Sequence, residues 1–232
     1  MHHQNNAMRN SLVMLSILAA GVFACGRSET TKANIIILNL EHLNPAGSTY
    51  QQESLNNPAS KFIYTQNAYA DSIGNQLTIQ NSLPKGGLKY TAPSGEEFVY
   101  AVFWTCITNE TAYPLNLKIN FPDQPFKPSD SEETYCNLLF PTDKMTPEKE
   151  SLFDYGLANM NASLDHLFNQ PSELSTLIEP KASHTFYVVS LCNQGVKGTI
   201  RAELSLREQM LYYRLNNKEI PCGEISFQQL KN

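Results

Sequence analysis

The chain has 232 residues, with 17 Lys+Arg against 22 Asp+Glu for a formal charge of −5, and 41% of its residues are apolar. That length holds one ordinary domain with a sizeable core. The acidic balance, without any Lys/Arg run, excludes the electrostatic footprint that nucleic-acid binding requires.

In chain order, the first feature is the apolar run Leu12–Ala24, preceded by Arg9 and ending in small residues. This is the pattern of an export signal. It falls short of the roughly 20 apolar residues that a membrane-spanning helix needs. Val22-Phe23-Ala24-Cys25 closes the run. These four residues resemble the lipobox of bacterial lipoproteins, in which a small residue precedes the cysteine that takes the lipid. The resemblance implies a signal peptide at 1–24, palmitate-type acylation of Cys25 and a lipid-anchored tether over 25–33. It also implies a place in the cell envelope, at the outer membrane on its periplasmic or surface face. Each buried acyl CH₂ contributes about 0.8 kcal/mol to such an anchor. The same residues also satisfy ordinary signal cleavage.

Residues 34–40, rich in Ile and Leu, predict a first strand, and the Asn-, Gln- and Pro-containing stretch that follows predicts a loop. Lys61–Thr65 and Gln76–Gln80 are short strand candidates. Asp71-Ser72-Ile73 between them reads as a turn; it also resembles the Bacteroidota O-glycosylation signal, which would place sugar on Ser72. Pro84 and Gly86-Gly87 read as the end of that region. Residues 97–108 are dense in aromatic and β-branched side chains at both parities, which predicts a central strand covered on both faces. An Asn-led turn at 109–114 and a cleanly alternating strand at 115–121 follow. After a proline-rich acidic loop, 135–140 predicts a short strand that Pro141 stops.

Thr146-Pro147-Glu148 places a capping residue before a first-turn proline. Leu157, Met160, Leu164, Leu167 and Phe168 recur at helical spacing, so two short helices broken at Gly156 are expected near 146–170, packed against a sheet. Strands are predicted again at 174–180, 185–191, 198–206, 210–215 and 218–220, the last two joined through a two-residue Asn216-Asn217 turn. Short strands with turn signals predict a mainly β domain over 34–232, an antiparallel sandwich with a short helical insertion. The strand–turn–strand arrangements resemble immunoglobulin-like domains of Bacteroidota-type lipoproteins.

Besides Cys25, the cysteines are Cys106, Cys136, Cys192 and Cys222. In an oxidising compartment an even number predicts two disulfides, with three possible connectivities. Cys106–Cys136 with Cys192–Cys222 is preferred, because it closes two loops of equal length, each contributing about 3 kcal/mol. Four buried thiols are the alternative. No C-x-x-C pair or neighbouring His supports a metal site.

Catalytic signatures are sparse. Ser82-Leu83-Pro84-Lys85 spells Ser-x-x-Lys, but its proline and the following glycines oppose the helix that would pair Ser with Lys. His42, His166 and His184 are scattered. Asp130, Glu132 and Glu133 lack the spacing and turn glycine of a calcium loop. Tyr187, Tyr212, Tyr213 and Arg214, with Trp104, supply aromatic faces able to stack on sugars or anchor an interface. No catalytic residue, metal or cofactor is expected. The expectation is a non-enzymatic envelope lipoprotein that binds or assembles with a protein partner. A carbohydrate-binding lipoprotein of a glycan-uptake system is the second reading.

Overall fold

The computed structural model describes residues 61–70, 76–130, 133–167 and 170–227. The expected signal peptide, Cys25, the tether, the 34–40 strand, His42, Ser72 and Glu132 lie outside these residues. Among the described residues the strands are β1 (Ile63–Ala70), β2 (Gln76–Ser82), β3 (Lys85–Thr91), β4 (Glu97–Asn109), β5 (Leu115–Asn120) and β6 (Cys136–Leu139). A helical segment with one α-helix, α1 (Met160–Leu167), comes next. It is followed by β7 (Glu173–Ile178), β8 (Ser183–Cys192), β9 (Ala202–Arg207), β10 (Met210–Leu215) and β11 (Lys218–Phe227).

The strands form two antiparallel sheets, and the protein is mainly β. The first has the order β1-β2-β4-β8-β6, with β3 also paired to β4; the second has the order β7-β5-β11-β10-β9. Between the sheets lies a core built from alternate residues of each. Phe103, Ile107 and Val188 come from the first sheet; Leu117, Ile119, Leu204, Tyr213 and Ile225 come from the second.

The opposite parity of β4 explains the rest of the architecture. Tyr100, Val102 and Trp104 point away from the second sheet into another core, which Met145, Tyr155, Leu157, Met160, Leu164 and Leu167 complete. The segment between β6 and β7 therefore forms a third layer on the outer face of the first sheet. Leaving that face bare would expose several large apolar side chains, each contributing about 1.5–3 kcal/mol on burial. The expectation of a strand covered on both faces, with Leu157, Met160, Leu164 and Leu167 packed on a sheet, agrees with this arrangement, and Phe168 of the expected stripe lies outside the described residues.

Three sequence expectations need correction. β3 is a strand rather than a closing turn. Asn81 opposes Thr105 and Lys85 opposes Val102, so β2 and β3 follow one line along β4 with an extra residue between them, and a second irregularity falls between Gly86 and Leu88. Pro84 and the glycines mark bulges, not an end. Second, the expected first helix is only a 3₁₀ turn, Pro147–Lys149, and Thr146 makes no side-chain capping bond. Left-handed backbone at Asp154, Tyr155, Gly156 and Asn159 delays the α-helix until Met160.

Third, the cysteines pair differently. Cys136 of β6 and Cys192 of β8 face each other in register and form the disulfide, while Cys106 and Cys222 are free thiols. Cys106 packs on the outer core and Cys222 in the core between the sheets. Cys136 also faces the inner core, so Cys106 could reach it only through the sheet. Burial pushes the Cys222 thiol up to about 12.

Candidate functional site

The third layer holds the most exposed large apolar residues of the described chain. Phe153 is 72% exposed and Leu152 50%, side by side at the start of a second 3₁₀ turn, Phe153–Gly156. Within that turn Asp154, Tyr155 and Gly156 all have positive φ. Non-glycine residues take this conformation at a cost of order 1–3 kcal/mol and keep it only when the surroundings fix it. At Gly156 even a Cβ would meet Lys149 Cγ at 3.0 Å and Leu152 Cδ1 at 3.1 Å.

The surroundings fix it from below. Lys85, at the start of β3, sends Nζ to the carbonyl oxygens of Glu150 (2.5 Å) and Leu152 (2.6 Å). The same ammonium lies 4.1 Å from the Tyr155 ring centroid and 4.7 Å from that of Phe62. Tyr100 donates its hydroxyl to Asp154 Oδ2 (2.8 Å), Tyr155 donates to the Leu83 carbonyl (2.6 Å), and Tyr187 donates to the Tyr155 carbonyl (2.7 Å). Further along, Tyr90 donates to Asp165 of α1 (2.5 Å). The side chains of Tyr155, Asp154 and Lys85 thus point into the layer junction. Leu152 and Phe153, between the fixed points, are left facing solvent.

The electrostatics follow from this burial. Desolvation lowers the Lys85 pKa, opposed by the carboxylates of Asp154 and Glu150. Desolvation raises Glu150, opposed by Lys85. Burial holds the phenols of Tyr155 and Tyr187 up at about 12 and drives Tyr100 higher still, helped by Asp154. Asp154 Oδ1 is buried without a hydrogen-bond partner among the described residues. Lys85 therefore acts as a clamp.

The residues singled out from sequence are dispersed. Ser82 Oγ accepts the Trp104 backbone N–H (2.8 Å), while Lys85 turns to the carbonyls of the third layer. Tyr187 and Trp104 are buried beneath that layer. Tyr213 is buried between the sheets. Only Tyr212 and Arg214 reach the outer face of the second sheet, where Arg207 lies 4.5 Å over the Tyr212 ring and Arg214 pairs with Glu203. The alternation Leu211, Tyr213, Leu215 against Tyr212, Arg214 was the signal that separates the two sets. His184 stacks on Phe186 with centroids 6.0 Å apart, and burial lowers its pKa. His166 lies in the last turn of α1. Glu133 pairs with Lys127 at 3.0 Å.

Sequence reasoning missed Leu152, Phe153 and the Lys85 clamp. Among the described residues there is no group of three or more His, Cys, Asp or Glu able to hold a metal ion, and no helix is long and apolar enough to cross a membrane. Comparison of the chain with protein-family models, with curated proteins and with solved structures finds no match.

Proposed function

We propose that the chain is a non-enzymatic, lipid-anchored lipoprotein of the cell envelope whose domain binds a protein partner, with Leu152 and Phe153 as its docking anchors. The observation that carries this reading is the exposure of Phe153 on a backbone turn that Lys85, Tyr100 and Tyr187 hold from below. An aromatic side chain presented on a preorganised turn loses little entropy on binding, which is the physical basis of interface hot spots. The lipid on Cys25 would hold the module at the envelope.

The carbohydrate-binding alternative finds less support at the aromatics that suggested it: Tyr187, Tyr213 and Trp104 are buried, and the half-buried Tyr212 ring is already covered by Arg207. An immunoglobulin-like relationship draws its support from the first sheet, where β2-β4-β8-β6 follows the A-B-E-D order. The second sheet departs from that pattern, because the last strand, β11, takes the place beside β5.

The reading is tested with a Leu152→Ser, Phe153→Ser double variant in native envelopes. Loss of a defined complex on native electrophoresis, with Trp104 fluorescence unchanged, is the expected result. A complex pattern identical to wild type would overturn the assignment of these anchors.

A further inference from the structure

A sheet edge carries unpaired backbone groups, and folded proteins normally cover or disrupt each one. At β9, the N–H groups of Leu204 and Leu206 are taken by Asn81 Oδ1 (2.9 Å) and the Tyr69 hydroxyl (3.2 Å). The outer edge of β6 is met by Phe126, which exchanges both backbone bonds with Cys136. β1 lies against β9, with Asn67 bonded to Glu203, and its register is broken near Ile63. β3 carries a bulge together with Lys85 and Lys89.

Among the described residues, β7 has none of these devices. Its register with β5 runs unbroken from Glu173 to Ile178, without Lys, Pro or bulge. Phe121 N–H bonds the Ser172 carbonyl, and antiparallel bonding alternates from there. Leu174, Thr176 and Ile178 therefore face β5. The N–H and C=O groups of Glu173, Ser175 and Leu177 point off the sheet.

The side chains along this edge are self-complementary. At one end Leu177 stands 44% exposed. At the other, Glu173, Leu174, Ser175, Lys118 and Met210 border an open groove of about 470 Å³. Gly223 lies within it, and a Cβ there would fall 2.0 Å from the Lys118 carbonyl oxygen, so that position admits no side chain.

We infer that β7 is a dimerisation edge that takes β7 of a second copy of this chain. A two-fold axis through Ser175 sets Ser175 against Ser175 and Glu173 against Leu177 of the second copy. Each opposed pair exchanges its two backbone bonds. The axis also carries Leu177 of each copy to the groove beside Glu173 of the other, an isologous arrangement. No carboxylate faces a carboxylate. A six-residue edge buries less than the roughly 1,000 Å² of a stable interface, so the dimer is weak and concentration-dependent. This inference is independent of the Leu152–Phe153 anchors.

The test uses the full chain carrying Cys25→Ala. Sedimentation velocity should show a monomer that shifts toward dimer as concentration rises. Adding Ser175→Cys should give an oxidised, reducible dimer band, while Lys218→Cys, at the exposed start of β11, should not. Leu177→Lys should remove the dimer over the same concentration range with its thermal melt unchanged. A monomer at every concentration overturns the inference. So does a dimer that survives Leu177→Lys, or one in which Ser175→Cys fails to cross-link.

Discussion

The side-chain amide of Asn81 bonds both backbone groups of Leu204: Oδ1 accepts its N–H at 2.9 Å and Nδ2 donates to its carbonyl at 3.1 Å. Asn81 belongs to β2 of the first sheet and Leu204 to the edge strand of the second. The amide thus copies a neighbouring strand's backbone and closes one side of the sandwich. Thr105 and Thr65 supply its remaining bonds, each at 3.0 Å. Replacing Asn81 by Ala leaves the buried Leu204 groups unpaired, at about 1–3 kcal/mol for each such group. Urea denaturation should show a midpoint lowered by a loss of this order; a loss below about 0.5 kcal/mol would contradict the account.

The cysteines make a second prediction. The Cys136–Cys192 separation of 56 residues places the loop-closure contribution at about 4 kcal/mol. A Cys136→Ala, Cys192→Ala double variant should lose about that much stability. In the native wild type, maleimide should label Cys106 faster than Cys222, because Cys222 is buried with its thiol held near 12. Mass mapping of labelled peptides decides this. Fast native labelling of Cys222 would be inconsistent with its place between the sheets.

Lys85→Met should loosen the third layer and leave the sheets intact. Two charge-assisted bonds to the Glu150 and Leu152 carbonyls are lost, at about 1.5–3 kcal/mol for the local opening. Hydrogen exchange over 150–156 should accelerate by roughly tenfold or more on that scale, with β4 and β8 unchanged. Acceleration spread evenly over the whole chain would mean that Lys85 supports the fold globally and not this turn.

Alkali should destabilise the protein through its buried phenols. Burial raises Tyr90, Tyr155 and Tyr187 from 10.0 to about 12. Between those values the unfolded chain has released protons that the folded chain retains. Stability is therefore present in full below pH 10 and falls as pH rises toward 12. Thermal melts across this window should show a decline that Tyr155→Phe makes shallower. A flat profile would contradict the burial of these hydroxyls.

Much of the fold was legible because it depends on parity. β4 is apolar on both faces, and that alone calls for a covering layer. β5 alternates, and Asn216 takes the positive φ of the β10–β11 turn. β3 was not legible, because Pro84 and two glycines have the same local character in a bulge as in a strand end. The disulfide was not legible from loop length, which carries no information about the face on which a cysteine lies. Cys106 shares the parity of Trp104, so placing the strand register is what rules out Cys136 as its partner. The candidate site was least legible. Leu152 and Phe153 look like core residues in the sequence, and the lysine that fixes their exposure is far from them along the chain.

The proposed docking role is tested most directly by placing a photo-crosslinking amino acid at position 153 of the full chain in intact cells, with the exposed position 218 as control. The expected result is a light-dependent adduct to one defined protein from position 153, absent from position 218 and lost when Leu152→Ser is added. Equal, diffuse labelling from both positions, or no protein adduct from position 153, would contradict it.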